Sequence, residues 1–236
     1  MRSMARETRH EARARITGEL MAAARRQLGE VGAAGLSLRE VAREIGMVSS
    51  AVYRYVESRD DLLTRLIIQS YDALGAEAER QSAASAVRGD LERWTATAHA
   101  IRRWSLERPH EYLLLYGSPV PGYAAPEDTI APATRVTFAL VGIVGDAASA
   151  GRLAPPAGPP AQVSPELAGE LTALASLTGN DALATPDAVL AVLTAWTQMF
   201  GSIGFEITNQ TRNMVTDHTA LFDAFVRRLG HHIGLR

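Results

Sequence analysis

The chain has 236 residues, 47% hydrophobic and 21% charged, with a formal net charge of −2 and no cysteine. That length can bury a core as one large domain or two smaller ones, and the missing thiols exclude disulfides, thiolate metal sites and cysteine nucleophiles. No run of 18 apolar residues and no signal-peptide pattern is present, so a cytoplasmic protein with no membrane span is expected.

The charge is unevenly spread. Residues 1–65 hold 12 Arg against 9 acids, and the remainder holds 12 Arg against 17. A basic head on an acidic body suits a chain that meets nucleic acid at one end only. All 24 basic residues are Arg.

Arg2, Arg6 and Arg9 lie in a stretch without apolar periodicity, either a frayed tail or a basic arm for phosphates and a minor groove. Ile16, Leu20, Ala23, Ala24, Leu28 and Val31 then form a helical stripe over 11–31, which Gly32 and Gly35 end. Arg13, Arg25 and Arg26 are expected on its solvated outer face.

Ser37 followed by Glu40 predicts a capping box. Leu38, Val41, Ala42 and Ile45 give a short helix one apolar stripe, and Gly46 supplies the left-handed residue of a tight turn. Ser49 or Ser50 is expected to cap a second short helix with Val52 and Val56 facing inward, and Ser58 with Asp61 to start a third. Two short helices about a glycine turn make a helix-turn-helix, whose second helix enters a DNA major groove. Small Ser49, Ser50 and Ala51 allow close approach, Tyr53 and Tyr55 can donate to phosphates, and Arg54 can pair with phosphate or guanine. The bland alternative is a surface helix on a bundle, which leaves the joint spacing of caps, stripe and glycine unexplained.

The run Val48-Ser49-Ser50-Ala51-Val52-Tyr53-Arg54-Tyr55-Val56, followed by Arg59, Leu62 and Leu63, resembles the signature of the tetracycline-repressor (TetR) family, Leu-Tyr-x-His-Phe and then Lys-x-x-Leu-Leu. Val52 stands for Leu, Tyr55 for His, Val56 for Phe and Arg59 for Lys, each swap keeping the physical role. The expected DNA-binding residues are Ser37, Arg39, Ser49, Ser50, Ala51, Tyr53, Arg54, Tyr55 and Arg59. The expected domains are a helix-turn-helix head over 1–58 and a helical ligand-binding and dimerisation domain over 59–236.

After Arg59 the helical pattern runs through Leu62, Leu63, Leu66, Ile67 and Leu74 to about 83, a lever suited to transmitting tilt. A helix over 86–108 carries Leu91, Trp94, Ala98, Ile101 and Trp104. Arg108-Pro109 breaks it, and Tyr112 to Gly117 is a short apolar helix. A proline-rich loop over 118–126, a helix over 127–150 and an exposed Pro-rich linker over 154–161 follow. Ser164-Pro165 and Thr185-Pro186 start further helices with a side-chain cap and proline in the first turn. The first reaches about Leu177, the second about Ile207, and the last helix covers 214–233. With no strand alternation and no internal repeat, the chain reads as all-α.

The run from Trp104 through Arg108-Pro109 to Gly117-Ser118-Pro119-Val120-Pro121-Gly122-Tyr123 is similar to a TetR branch with a Trp-His-Gly C-terminal motif. Trp196 and Gly201 match two members of that motif, but Phe200 replaces its His. The resemblance implies a homodimer formed through helices 186–208 and 214–233, bound to an operator and most simply a repressor released by a small effector. Trp94, Trp104, Tyr112, Tyr116, Trp196 and Phe200 are the ligand-pocket candidates, and few charges fall among them, which favours a largely apolar ligand. No cofactor or metal is expected: His99, His110, His218, His231 and His232 lack ligand spacing with carboxylates. The alternatives are a helical interaction module and an enzyme; for the latter, Glu107, Glu111, Glu206 and Asp217 form no catalytic motif.

Overall fold

The computed structural model describes residues 8–158, 160, 162–177, 183 and 185–236. Arg2 and Arg6, and with them most of the expected basic arm, lie outside the described residues. The described residues form α1 (Arg9–Gly35), α2 (Leu38–Glu44), α3 (Ser49–Val52), α4 (Arg59–Ala84) and α5 (Asp90–Glu107). There follow α6 (Pro109–Tyr116), a 3-10 turn (Glu127–Thr129), α7 (Ile130–Ser149), α8 (Pro165–Ser176), α9 (Pro186–Ile207) and α10 (His218–Ile233). No strand occurs among the described residues, so the fold is all-α.

Two compact units divide the chain at different points from the boundary expected at 58/59. The first combines residues 1–70 with 110–129, and the second combines 71–109 with 130–236. The reason lies in burial. Leu62, Leu63 and Leu66 of α4 are fully enclosed with Leu20 and Ala24 of α1, Val41 of α2, and Val52 and Val56 around α3. Leu114, Val120 and Tyr123 pack against that same core, and the Tyr123 hydroxyl lies 2.9 Å from Thr64 Oγ1. A three-helix head is short of apolar area for its size. The start of α4 and the 110–129 segment enlarge its core, each enclosed Leu or Val contributing roughly 1.5–3 kcal/mol.

α1 begins earlier than expected. Thr8 and Glu11 form a capping box, with Glu11 N–H donating to Thr8 Oγ1 at 3.2 Å and Thr8 N–H to Glu11 Oε2 at 2.8 Å. The expected box at Ser37 does not form. Ser37 N–H donates to Gln27 Oε1 at 3.0 Å, and Glu40 pairs with Arg43. A side chain reaching across from α1 thus takes the amide that Glu40 was expected to hold. Likewise Val48, not Ser49 or Ser50, is the N-cap of α3, without a side-chain cap. The third cap is as expected: Asp61 N–H donates to Ser58 Oγ at 3.0 Å, and Asp61 Oδ2 accepts from Glu57 N–H at 2.8 Å.

In the second unit, α5 packs on α10, α7 and α9, and α8 on α9. The buried Trp94 indole N–H donates to the Val226 carbonyl at 2.9 Å. Arg102 makes a two-pronged pair with Glu206 at 2.5 and 2.7 Å, joining α5 to α9. Ser164 and Thr185 cap α8 and α9 ahead of Pro165 and Pro186, as their sequences predict. α10 starts at 218 instead of 214 because the Asp217 carboxylate accepts from Ala220 N–H at 2.9 Å. The segment expected to be an exposed linker is largely so, and is tethered at its start. Ala154 N–H donates to the Gly234 carbonyl and Ala157 N–H to the His232 carbonyl, both at 2.9 Å.

Candidate nucleic-acid interface

The turn between α2 and α3 is built as a left-handed stop. Gly46 has φ 68°. Its N–H donates to the Arg43 carbonyl at 3.1 Å and the Met47 N–H to the Ala42 carbonyl at 2.8 Å. This pairing satisfies the last carbonyls of α2 and reverses the chain within two residues. Val52 and Val56 then anchor α3 in the head core, which fixes the face left outside. Ser49, Ser50 and Arg54 are exposed, Tyr53 is 50% exposed and Ala51 is half-buried. α3 itself is one turn, extended by Tyr55 and Val56 N–H groups bonding back to the Val52 carbonyl at 2.9 and 3.1 Å.

Three expected contact residues are half-buried. Tyr55 is half-buried against the head core, with the Arg13 guanidinium 5.6 Å from its ring centroid. Ser37 is half-buried at the α1–α2 junction. Arg59 donates to the carbonyls of Leu36 at 3.1 Å, Ala33 at 2.9 Å and Ala34 at 3.1 Å. At the end of α1 Gly32 leaves helical geometry (φ 69°, ψ 174°), and the Leu36 N–H reaches only the Ala33 carbonyl at 3.4 Å; a guanidinium can satisfy several such helix-end carbonyls at once.

Ion pairing separates the remaining cations. Arg26 is paired with Glu44, Arg43 with Glu40, Arg65 with Asp61, and Arg25 lies 3.6 Å from Glu111. Although partial burial pushes Asp61 up, Arg65 and the Glu57 N–H together hold its carboxyl below the ordinary range. Arg39 and Arg54 have no acidic partner among the described residues, and both are exposed. A cation already engaged must give up its partner to meet phosphate; these two need not. Arg13 is exposed, as expected, and donates to the Arg54 carbonyl at 3.2 Å. The sequence marks Arg13 only as an outer-face cation and Val48 only as the first residue of the signature run; the contact of Arg13 with the Arg54 carbonyl joins two helices and has no local signal.

The ligand candidates fall in both units. In the first, Tyr112 is buried and its ring centroid is 5.1 Å from that of Tyr116. In the second, the Trp196 and Phe200 rings lie 5.2 Å apart, and the Trp196 indole nitrogen is buried without an acceptor. Trp94 is committed to Val226, and the ring of Trp104 carries the Arg108 guanidinium at 5.5 Å.

Residues 20–66 match the family profile described as bacterial regulatory proteins, tetR family, and residues 94–229 match the tetracyclin repressor-like C-terminal domain. The chain belongs to the TetR family. It is therefore a DNA-binding transcriptional regulator and not an enzyme. The match 20–66 begins at the first enclosed leucine of the head and ends at the last. Among TetR relatives, the HTH-type transcriptional regulators Rv1816 of Mycobacterium tuberculosis and Mb1846 of Mycobacterium bovis are each 39% identical over 227 residues, covering 94% of this chain and 93% of theirs. The solved structure of SCO4313 superposes with a TM-score of 0.73 at 30% identity, over 94% of this chain and 98% of that one. The TetR regulator PfmR of Thermus thermophilus, at 16% identity, shares the fold with a TM-score of 0.55 over 91% and 96%.

Proposed function

We propose that the protein is a cytoplasmic homodimeric repressor, released from its operator by a small, largely apolar effector. The observation that carries the DNA half is the outward ridge of Ser49, Ser50, Tyr53 and Arg54, with the exposed Arg39 on the preceding α2. On this reading Arg54 and Arg39 neutralise phosphate or read guanine, Tyr53 donates to phosphate, and the two serines let α3 approach the groove floor. Trp196 and Phe200 are the proposed effector contacts. An apolar ring pair with a spare indole donor suits an apolar ligand with one hydrogen-bond acceptor.

Two features support coupling between effector and operator. α4, with 26 residues and thus about 39 Å long, contributes its start to the first unit and its end to the second. Within the first unit, the 110–129 segment grips that start, Ser70 Oγ donating to Glu111 Oε2 at 2.8 Å and Thr64 meeting Tyr123. An effector that prefers one setting of α4 lowers operator affinity, and operator lowers effector affinity by the same factor.

The test is binding to a duplex selected from a random pool by the wild-type protein. Arg54→Ala is expected to weaken binding by roughly tenfold or more and to lower the salt slope by about one. Tyr53→Phe is expected to weaken it several-fold. Thermal stability stays unchanged in both, since both side chains are exposed. Wild-type affinity in both variants would refute the assignment of the ridge.

A further inference from the structure

We propose that Val48 determines operator specificity by seating its methyl groups against the 5-methyl of a thymine in each half-site. The proposal rests on the reading that α3 enters the major groove, and goes beyond it by assigning one base feature to one side chain.

Val48 is 73% exposed, at the N-cap of α3. Its backbone is extended, with φ −64° and ψ 131°, and successive side chains of extended backbone point to opposite sides. Met47 packs into the head core, so Val48 is turned outward by the same geometry that buries its predecessor. Its neighbours on that side are the exposed Ser49 and Ser50.

The chemistry of the ridge makes Val48 distinct. Serine hydroxyls both donate and accept, so they discriminate poorly between base edges. Arg54 suits guanine or phosphate. Val48 is the large apolar group at the entrance of the helix, where recognition-helix residues meet base edges, and is far more exposed than the half-buried Ala51. Only one base presents an apolar group in the major groove, and that is thymine with its C5-methyl. A branched aliphatic side chain left in water by the folded head gains most from that contact, because desolvation of both partners accompanies it.

The experiment uses the full-length protein and a fluorescent duplex selected by it from a random pool. Each thymine is replaced in turn by deoxyuracil, which deletes the methyl and nothing else. Wild type is expected to lose about fourfold in affinity at one thymine of each half-site, the effect of removing one buried methyl contact. Val48→Ala is expected to bind the thymine duplex about fourfold more weakly and to show no further loss with deoxyuracil at that position. Losses at all other positions should match wild type, as should the melting temperature. If the two proteins give the same uracil profile, or wild type ignores every thymine methyl, the proposal is overturned. If the wild type selects no duplex at all, the DNA-binding reading fails first and takes the proposal with it.

Discussion

Arg13 and Arg54 illustrate two uses of a guanidinium a few ångströms apart. The Arg54 side chain faces solvent with no acid to hold it among the described residues, while Arg13 spends one N–H on the Arg54 backbone carbonyl and leans over the Tyr55 ring. Arg13 therefore braces the C-terminal end of α3 from α1. Such a brace affects affinity through geometry, whereas a phosphate contact affects it through counterion release. Arg13→Ala is expected to weaken binding to the selected duplex by roughly tenfold, the scale of a charged hydrogen bond at a partly exposed site. The slope of log affinity against log salt should stay at its wild-type value. A slope reduced by about one would show that Arg13 touches phosphate and is no brace.

Among the elements, the end of α10 is closed by a device that depends on one residue. Gly234 has φ 106°, and a Cβ there would collide with the Ala154 carbonyl, whose own N–H is bonded to the Gly234 carbonyl. Gly234→Ala is expected to cost about 2 kcal/mol, the scale of a strained backbone conformation, and to lower the thermal midpoint without changing affinity for the selected duplex. A midpoint equal to wild type would show that the tether is dispensable. The glycine is visible in the sequence but the tether is not, since it joins residues some eighty positions apart. The same division holds elsewhere. Helix starts written locally, as in Ser164-Pro165, Thr185-Pro186 and Ser58 with Asp61, can be read directly from residue type and spacing. The Gly46 turn and the inward Val52 and Val56 are legible for the same reason. Ser37 and Arg59 escape such a reading because their partners, Gln27 and the carbonyls at the end of α1, come from another helix. The membership of 110–129 in the head is hidden likewise, because Leu114, Val120 and Tyr123 carry no local sign of which core they enter.

At the scale of the whole molecule, α9 and α10 leave apolar surface uncovered. Phe205 is 59% exposed, Met214 80% and Phe225 44%, and with Gly201, Leu221 and Leu229 they line a groove of about 600 Å³. The stretches Glu127–Ser149 and Pro186–Ile207, the latter α9, are long and apolar enough to cross a membrane by length and composition; a contiguous uncovered apolar face on a helix of this kind marks an interaction surface. The proposed homodimer would cover it: a two-fold axis would bring the same α9–α10 face against its copy and give each Phe225 an apolar partner. Pairing also supplies what an operator demands, since two heads on half-sites about 34–36 Å apart bind with far greater avidity than one. Phe225→Asp places a carboxylate in that face while remaining solvated in the single chain. The variant is expected to sediment as a monomer, to keep its helical circular dichroism, and to lose at least about a hundredfold in affinity for the selected two-half-site duplex. Its affinity for a single half-site should equal that of wild type. A dimer that persists with full operator affinity would rule out the α9–α10 face as the seam and shift the search to another surface of the second unit.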